Sequence, residues 1–477
     1  MKAIAARFEQ YQKRLQSCRQ GHLLAFWDEL NELQRAQLLD DLDQIDLDRC
    51  LPLIDPVVRG RPTFRVPEHL EPPDAYPAVP GPERAGEYRA ARRLGVDAIR
   101  QGRVAAFTVA GGQGTRLGYE GPKGGFAISP VRSACLFQLF AEFLLGIERR
   151  HGRRPRWYIM TSPSNHAETL AIFERHEYFG LVPEDLMFFP QGQMPAFHPD
   201  GRITLSQKHR VALGPDGHGG SLRALATSGA LQDMHVRGID YLSYFQVDNP
   251  LVKLIDPLFI GLHIATGSEM SSKAVTKAHD LERVGNLCLA DGKLTVIEYS
   301  DLPDELARQK ERDGSRRFDA GSIAVHVLNR TFVEWLTRTR SRVRLPWHRA
   351  EKKLAVVDPD GHRVEPPEPN VVKLETFVFD AIPLAKNPLV LLTPREEEFS
   401  PVKNAQGTDS PATARRDMQR RAARWLAACG CRIPRGSDGN PDLPLEISPL
   451  FALDAEDLRE RLVAPPELKP GQALLLA

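Results

Sequence analysis

The chain has 477 residues, a length typical of roughly three domains and ample for a hydrophobic core without disulfides or structural metals. Hydrophobic residues make up 42%, charged residues 26%, and the formal net charge is +1, as in ordinary globular proteins. This balance gives no bulk electrostatic reason to bind nucleic acid or an acidic membrane. Any phosphate group must therefore be held by a local site.

The cysteines and the N-terminus point to the same compartment. The six cysteines are scattered without a CxxC pair, which disfavours a zinc ribbon or a thioredoxin-type site and fits a reducing environment. The N-terminal stretch lacks the apolar core of a signal peptide, and no apolar run reaches the length of about 18 residues that a membrane span needs. We therefore expect a cytoplasmic protein without a membrane span.

The N-terminal hundred residues divide into a helical part and a connector. Residues 1–50 carry apolar stripes at helical spacing, broken at Gly21, and predict helices that pack on the rest of the protein. Seven prolines between 62 and 82 predict an extended connector, and a helix is expected from Glu83 to about Ile99. We take 1–100 as an N-terminal helical region with a proline-rich connector.

From Val104 the pattern changes to alternating strands and helices. The apolar runs lie at 104–110, 157–162, 186–190 and 241–247, and the helix-like stretches lie at about 133–149, 164–176 and 221–235. This alternation indicates βαβ units and an α/β fold with a mostly parallel central sheet. Ligands of such a sheet bind at the carboxyl ends of its strands.

The remainder of the chain has a mixed α+β pattern. Asp291-Gly292 and Asp360-Gly361 each separate two strand-like runs and predict hairpins. An apolar run at 388–392 and a helix near 413–429 follow. We expect a catalytic domain over 101–385 and a small C-terminal α+β domain over 386–477.

The strongest chemical signal is a glycine-rich stretch after the first of these strands. It reads GGQGTRLG from Gly111 to Gly118 and is followed by Pro122-Lys123. Glycines let backbone N–H groups approach an anion, Arg116 offers a planar fork of donors and Lys123 a point charge, so the stretch predicts a polyphosphate cradle. The phosphate loop of ATPases requires Lys directly after the last glycine and is excluded. The dinucleotide fingerprint fails because the third glycine comes one residue late, which disfavours a dehydrogenase.

This stretch resembles the signature of the eukaryotic-type UDP-sugar pyrophosphorylases, and the chain looks most like the UDP-N-acetylglucosamine enzymes of that family. Collinear matches run from about Gly21 to Leu450 and include FFPQGQMPA, PDGHGG, VDNPLVK, VIEYSD, FDAGSIAVH, KLETFVFD, REEEFSPVKNA and EISPL. The resemblance implies a Rossmann-like nucleotidyltransferase core. It also implies uridylyl transfer from UTP to a sugar 1-phosphate, with N-acetylglucosamine 1-phosphate as the first candidate, giving UDP-sugar and pyrophosphate.

The resemblance also implies roles for individual residues. Contacts to the nucleotide fall to Gly111, Gly112, Gly114, Thr115, Gln191 and Gly217. Arg116 and Lys123 would hold the triphosphate, and Lys403 would contact the sugar phosphate. The sugar pocket would contain His218, Glu298, Ser322 and Phe377. Asp248 ends a predicted strand, where a carboxylate for Mg²⁺ or Mn²⁺ belongs in a parallel sheet, and Asp380 is the second metal-ligand candidate.

Two departures from the family pattern leave the sugar open. The Asn of the family's DGxGG loop is His218 here, as in UDP-glucose pyrophosphorylases, and the NAGN stretch is Asp319-Ala320-Gly321-Ser322. A UTP–glucose-1-phosphate uridylyltransferase and a broad-specificity UDP-sugar pyrophosphorylase are therefore alternatives, and a catalytically silent UDP-sugar-binding homologue is a third. We expect no nucleic-acid or membrane partner, and a monomer or weak homo-oligomer.

Overall fold

Apolar runs from the middle of the chain form an eleven-stranded sheet in the computed structural model, which describes residues 2–61, 64–338 and 344–477. From edge to edge its main path is Ala75–Tyr76, Leu389–Leu392, Met270–Thr276, Ala320–Asn329, Tyr241–Gln246, Val104–Val109, Trp157–Thr161 and Leu186–Pro190. The strands Leu70–Glu71, Asn286–Ala290 and Lys293–Ile297 pair off this path. Only Ala320–Asn329 runs antiparallel to its neighbours on the described path, so the predicted mostly parallel sheet is confirmed.

The register of the parallel strands brings their carboxyl ends to one edge. Gln246 pairs with Val109, and Val109 pairs with Met160. The strand Val104–Val109 is buried along almost its whole length, as expected for a strand covered on both faces. The loops that follow these three strands therefore leave the sheet side by side.

Contacts within the chain divide it into two compact units. The first unit comprises Met1–Arg65, Gln191–Arg223 and Val343–Asp380, and the second comprises Val66–Pro190, Ala224–Arg342 and Ala381–Ala477. The units do not follow the three predicted domains, because 101–385 contributes to both. The predicted boundary at 386 also precedes a strand of the central sheet, Leu389–Leu392, which pairs in parallel with Met270–Thr276.

The second unit contains the whole central sheet and most of the helices. The helices that contribute side chains to its large apolar core include Ala85–Arg100, Leu136–His151, His166–Arg175, Pro257–Ala265 and Pro411–Ala428. Shorter helices are Ala230–Arg237, Asp304–Ala307, Arg330–Thr337, Arg395–Glu398 and Ala455–Arg461. Part of the predicted C-terminal region has a small apolar core of its own, around Trp425 and Leu426, with the strand pair Leu445–Ile447 and Leu474–Leu476.

The first unit packs the N-terminal helices on short hairpins from later in the chain. Its helices are Lys2–Ser17, Glu32–Asp43 and Leu47–Cys50. Its strand pairs are Gln193–Pro195 with Leu213–Pro215, Leu205–Gln207 with Arg210–Val211, His348–Lys352 with Val371–Glu375, and Val356–Val357 with Arg363–Val364. Leu15, Leu38 and Phe197 are fully buried in one core, which confirms that the N-terminal stripes pack on the rest of the chain.

Two local predictions have instructive outcomes. The helix predicted over 221–235 is two helices, Gly220–Thr227 and Ala230–Arg237, because Gly229 between them adopts φ 84°. The hairpin at Asp291-Gly292 is confirmed, and both residues have positive φ, as the tightest hairpin turn requires. None of the described helices has the length and apolarity to cross a bilayer.

Candidate active site

The glycine loop, residues 111–123, follows the carboxyl end of the strand Val104–Val109 and folds back on itself. The amide of Lys123 donates to Gly112 O at 3.0 Å, and the amide of Gly114 donates to Gly121 O at 2.9 Å. Gly118 adopts φ 69°, a left-handed conformation that suits glycine. The loop is thus closed by backbone bonds, and its exposed side chains are left for a ligand.

Two glycines of this loop differ in their surroundings. A Cβ atom on Gly114 would lie 2.6 Å from Cδ1 of Tyr119, so the fold itself requires glycine there. A Cβ atom on Gly112 would meet nothing within 4 Å. Packing within the chain therefore does not require glycine at position 112, and the open space there would let a ligand approach the backbone.

The two basic residues of the glycine loop are held differently. Arg116 and its neighbour Thr115 are exposed, and Arg116 has no ion-pair or hydrogen-bond partner in the part of the chain that the structure describes. Lys123 is half-buried, and its Nζ donates to Val402 O at 3.3 Å. Lys123 is therefore oriented by the protein, while the Arg116 guanidinium keeps all its donors for an anion.

The aspartate loop, residues 247–256, follows the adjacent strand Tyr241–Gln246. Because Gln246 pairs with Val109, Asp248 and Gly111 lie at equivalent positions beyond neighbouring strand ends. The Asp248 carboxylate has no hydrogen-bond or ion-pair partner among the described residues. Its backbone carbonyl accepts from the amide of Val402 at 2.8 Å.

The lysine loop, residues 398–409, carries Lys403 next to that contact. The Lys403 amide donates to Asp409 O at 2.6 Å, and its Nζ lies 3.6 Å from Asp409 Oδ2, with both side chains 40% exposed. Such an exposed pair is weak, so the Lys403 ammonium is available to a phosphate. Val402 thus joins Lys123, Asp248 and Lys403 into a group that we call the three-loop cluster.

Two predicted sugar contacts also lie together in the second unit. The Ser322 amide donates to Gly285 O at 2.8 Å. A Cβ atom on Gly285 would lie 3.6 Å from Glu298 Oε1 and 3.9 Å from Ser322 Cβ, so both side chains flank this glycine. The Asp319 side chain contacts other residues: its Oδ1 accepts from the amide of Lys277 at 3.2 Å and from Arg316 at 3.3 Å.

The other predicted site residues belong to the first unit. Gln191 is 8% exposed, and Gly217 adopts φ 84° with its backbone against Thr376. The His218 ring stacks on Phe377 at a centroid distance of 5.1 Å, and its Nδ1 accepts from the amide of Val378 at 3.1 Å. Burial, with a smaller contribution from the nearby His348, lowers the pKa of His218 to about 4.

A second imidazole ring, that of His348, also stacks on Phe377. The His348 ring lies 4.2 Å from Phe377 in a stacked geometry, and we call His218, Phe377 and His348 the aromatic stack. His348 Nε2 lies 2.8 Å from Asp380 Oδ2. Asp380 therefore has a side-chain partner in its own unit, and its assignment as a metal ligand stays a prediction.

Three residues beside the predicted ones were missed in the sequence. Asn165 is fully buried and donates to Ala110 O at 3.0 Å, which supports the start of the glycine loop. Asn249 joins two loops of the three-loop cluster, as described below, and His348 belongs to the aromatic stack. A signal existed for Asn165 and Asn249, since each follows a predicted strand, but His348 is isolated in the sequence.

The described residues offer few donors for a metal ion. Across residues 2–61, 64–338 and 344–477, no three His, Cys, Asp or Glu side chains group in a way that could hold a metal ion. Magnesium, however, needs only one or two carboxylates when phosphate oxygens and water complete its shell. The unpartnered Asp248 carboxylate therefore fits a magnesium ion that arrives with a nucleotide.

Comparisons with known proteins agree with this geometry. A family profile described as UTP–glucose-1-phosphate uridylyltransferase matches residues 90–409. The glycine loop, Asp248 and Lys403 all fall within these limits. The chain belongs to this family.

Relatives extend the similarity beyond that segment. The chain is 38% identical to the human UDP-N-acetylhexosamine pyrophosphorylase-like protein 1, covering 93% of each chain. It is 35% identical to the UDP-N-acetylglucosamine pyrophosphorylase of Saccharomyces cerevisiae, covering 92% of this chain and 94% of the yeast protein. The crystal structure of the Trypanosoma brucei uridine diphosphate N-acetylglucosamine pyrophosphorylase matches 99% of this chain and 98% of its own, with 26% identity and a TM-score of 0.79.

Proposed function

We propose that this protein is a uridylyltransferase that makes a UDP-sugar and pyrophosphate from UTP and a sugar 1-phosphate. The observation that carries the proposal is the three-loop cluster, in which Val402 contacts both Lys123 and the backbone of Asp248. The yeast and Arabidopsis relatives named for UDP-N-acetylglucosamine, at 35% and 33% identity over more than nine-tenths of this chain, support the same reaction.

The reaction is a displacement at phosphorus. An oxygen of the sugar phosphate attacks the α-phosphorus of UTP; a new P–O bond forms while the bond to the oxygen bridging to the β-phosphorus breaks. The electron pair of the broken bond leaves with pyrophosphate. A phosphate monoester has a second pKa of about 6, so the nucleophile is already anionic near neutral pH and needs no general base. Positioning and charge neutralisation are then the main tasks of the enzyme.

Three basic residues of the second unit, Arg116, Lys123 and Lys403, have separate roles in this scheme. Lys403 holds the phosphate of the incoming sugar, and Arg116 and Lys123 bind the triphosphate. The departing pyrophosphate gains charge as the P–O bond breaks, so donors aimed at it stabilise the transition state more than the bound substrate. The exposed Arg116, whose donors have no partner among the described residues, suits that role.

Asp248 is the proposed ligand for Mg²⁺, with Mn²⁺ as the substitute. When bound, the ion would neutralise phosphate oxygens and help to orient the triphosphate. Asp248 itself would fix the position of the α-phosphate relative to Lys403. Asp380 remains the second candidate ligand, although one of its oxygens is engaged by His348.

N-acetylglucosamine 1-phosphate is the proposed sugar substrate. The family resemblance assigns its contacts to Glu298 and Ser322, which lie together in the second unit, and to His218 and Phe377, which stack on each other in the first unit. The resemblance assigns the uridine contacts to the backbone of Gly111 and Gly112 in the second unit and to Gln191 and Gly217 in the first unit, since a uracil edge needs matched donors and acceptors.

The test is pyrophosphate release by the purified protein with UTP, magnesium and a panel of sugar 1-phosphates. We expect release with N-acetylglucosamine 1-phosphate at a rate far above the residual rate of a Lys403→Ala protein prepared identically, which controls for host enzymes. Tight UTP binding without release of pyrophosphate, whichever sugar phosphate is added, would instead identify a silent UDP-sugar-binding homologue. Faster turnover of glucose 1-phosphate would identify the UTP–glucose-1-phosphate activity.

The proposed setting is the cytoplasm, with the protein a monomer or weak homo-oligomer. All six cysteines are unpaired, and three of them, Cys50, Cys288 and Cys431, are buried, which suits a reducing compartment. Fractionation of cells and sedimentation of the purified protein test these two statements.

A further inference from the structure

Asn249 joins two loops of the three-loop cluster through its side chain. It is 5% exposed and directly follows Asp248. Its Nδ2 donates to Glu398 O at 2.6 Å, and its Oδ1 accepts from the amides of Ser400 at 3.1 Å and Leu251 at 3.2 Å. One amide side chain thus binds the start of the lysine loop on both its donor and its acceptor side.

These bonds of the Asn249 side chain, which we call the clasp, lie beside Asp248 and Lys403, the two residues that the proposed reaction needs most. The amide of Val402 donates to Asp248 O at 2.8 Å, one residue before Lys403. The Asn249 bonds to Glu398 O and the Ser400 amide therefore fix the segment that leads into Lys403. If that segment moved, the spacing between the Asp248 carboxylate and the Lys403 ammonium would change with it.

A buried ion network also ties the aspartate loop and the lysine loop to the central sheet. Lys273, in the strand Met270–Thr276, is fully buried, and its Nζ donates to Asp256 Oδ2 at 2.6 Å and to Glu398 Oε2 at 2.5 Å. Asp256 ends the aspartate loop, and Glu398 begins the lysine loop. Thr393 Oγ1 donates to the other oxygen of Glu398 at 2.6 Å, so this carboxylate is well satisfied although buried.

We propose that Asn249 is a positioning residue for uridylyl transfer, which holds Lys403 at a fixed distance from Asp248 while Lys273 anchors both loops to the sheet. The inference rests on the proposed function, because it assigns the clasp to that reaction. The Asn249 amide group already binds Glu398, Ser400 and Leu251 within the protein, which suits a residue that positions others rather than one that contacts substrate. Misplacing a reacting group by about 1 Å costs on the order of a hundredfold in rate, so a clasp of this kind affects turnover strongly.

The test compares Asn249→Ala with Asn329→Ala. Asn329 has a similar set of bonds, with Oδ1 2.9 Å from His263 Nε2 and Nδ2 donating to Ser268 O at 3.1 Å. It pairs with Tyr241, at the start of the strand whose other end leads to Asp248, so it lies at the opposite edge of the sheet from the three-loop cluster. For Asn249→Ala we expect kcat/KM to fall about 10- to 100-fold, as for lost supporting partners of catalytic groups. For Asn329→Ala we expect a kcat/KM close to that of the wild type.

A double-mutant cycle with Lys403→Ala separates positioning from general damage. If Asn249 acts through Lys403, Asn249→Ala added to Lys403→Ala should slow the enzyme by no more than about twofold, because the residue it positions is already absent. Losses that multiply would overturn the proposal, as would an Asn249→Ala enzyme within about twofold of the wild type. Calorimetric titration with UTP measures the binding stoichiometry, which we expect to be close to one in every variant. That result would exclude an inactive fraction of the protein as the cause of a lower rate.

Hydrogen exchange judges the clasp independently of activity. In Asn249→Ala, amides of the lysine loop should exchange faster than in the wild type, and in Asn329→Ala they should not. Unchanged exchange over 398–409 would contradict the clasp even in an active enzyme. A wild type that binds UTP but releases no pyrophosphate would overturn the proposed function, and with it the assignment of the clasp to that reaction, whatever the exchange result.

Discussion

The three-loop cluster of the second unit and the aromatic stack of the first unit use opposite physical means. In the cluster, charged side chains are left without strong protein partners, and hydrogen bonds to the backbone of Val402 join the loops. In the stack, flat rings are half-buried against one another, with centroid distances of 4.2 and 5.1 Å around Phe377. Under the proposed function, the cluster would supply charge for the reaction and the stack would supply shape for recognition. Substitutions in the cluster should therefore change rate, and substitutions in the stack should change selectivity.

The largest effect is expected for Asp248→Asn in the cluster. Loss of a metal-binding carboxylate should raise the barrier by about 3–4 kcal/mol or more, as for other lost transition-state charge stabilisers. Because the Asp248 carboxylate has no partner among the described residues, the thermal unfolding midpoint should stay near that of the wild type. Turnover at saturating UTP, with and without exhaustive chelation, is the measurement. Activity that survives chelation would show that the metal assignment is wrong.

Arg116→Ala should come next and should also act on rate. We expect about 2–4 kcal/mol of lost transition-state stabilisation, since Arg116 meets charge that develops as pyrophosphate leaves. UTP affinity should change far less than kcat, because the uracil is bound elsewhere. An Arg116→Ala enzyme with near wild-type turnover at saturating UTP would remove Arg116 from this role.

Two glycines of one loop provide a matched pair. Gly114→Ala should destabilise the fold by about 1–3 kcal/mol, because its Cβ would press on the Tyr119 ring at 2.6 Å. Gly112→Ala should leave stability unchanged and weaken UTP binding, because its Cβ would meet only open space in the protein. Thermal unfolding and UTP titration of both variants measure this. Equal UTP affinity for Gly112→Ala and wild type would mean that no ligand lies against residue 112.

In the aromatic stack, His218→Asn should change selectivity rather than rate. Restoring the family's amide should increase the preference for N-acetylglucosamine 1-phosphate over glucose 1-phosphate by about 1–3 kcal/mol. The reason is that an amide which hydrogen-bonds the acetamido group would be left without a partner when glucose 1-phosphate is bound. The ratio of kcat/KM values for the two sugars is the readout. For the wild type we expect a ratio below roughly a thousandfold in either direction. A ratio that His218→Asn leaves untouched would show that another residue selects the sugar.

The smallest effect concerns pH. Because burial lowers the pKa of His218 to about 4, the ring is neutral near pH 7, and the sugar ratio should be flat from about pH 6 to 8. The same shift determines how the free energy of unfolding changes with pH. The unfolded chain, with a His pKa near 6.5, binds the proton more tightly than the folded chain, so the folded state loses stability as the pH drops from about 6.5 towards 4. His218→Asn should lose less stability over that interval. A sugar ratio that titrates with a midpoint near 6.5 would contradict the neutral ring.

Much of the sheet was predictable from local pattern, and the composition of the units was not. Buried parallel strands read as continuous apolar runs, so Val104–Val109 and Tyr241–Gln246 were found almost to the residue. The strand Ala75–Tyr76 was missed because it is short and lies among prolines. The joining of Gln191–Arg223 with the N-terminal helices depends on contacts between distant segments, which no local period records.

The site shows the same division. The glycine loop and Asp248 could be placed because both follow strands, where the fold rule for ligands applies. Roles for Gln191, Glu298 and Ser322 came from resemblance, since a single Gln, Glu or Ser has no spacing of its own. His348 was out of reach, because it meets Phe377 only when the strand His348–Lys352 pairs with Val371–Glu375.

Following the α-phosphate of UTP tests the central claim most directly. The protein is incubated with magnesium, N-acetylglucosamine 1-phosphate and UTP that carries a radiolabel on its α-phosphate, with Lys403→Ala as the control. We expect that all of the label that leaves UTP appears in UDP-N-acetylglucosamine, with an equal amount of unlabelled pyrophosphate, and that the control transfers almost none. Label that stays in UTP despite demonstrated UTP binding, with every sugar phosphate of the panel, would contradict it.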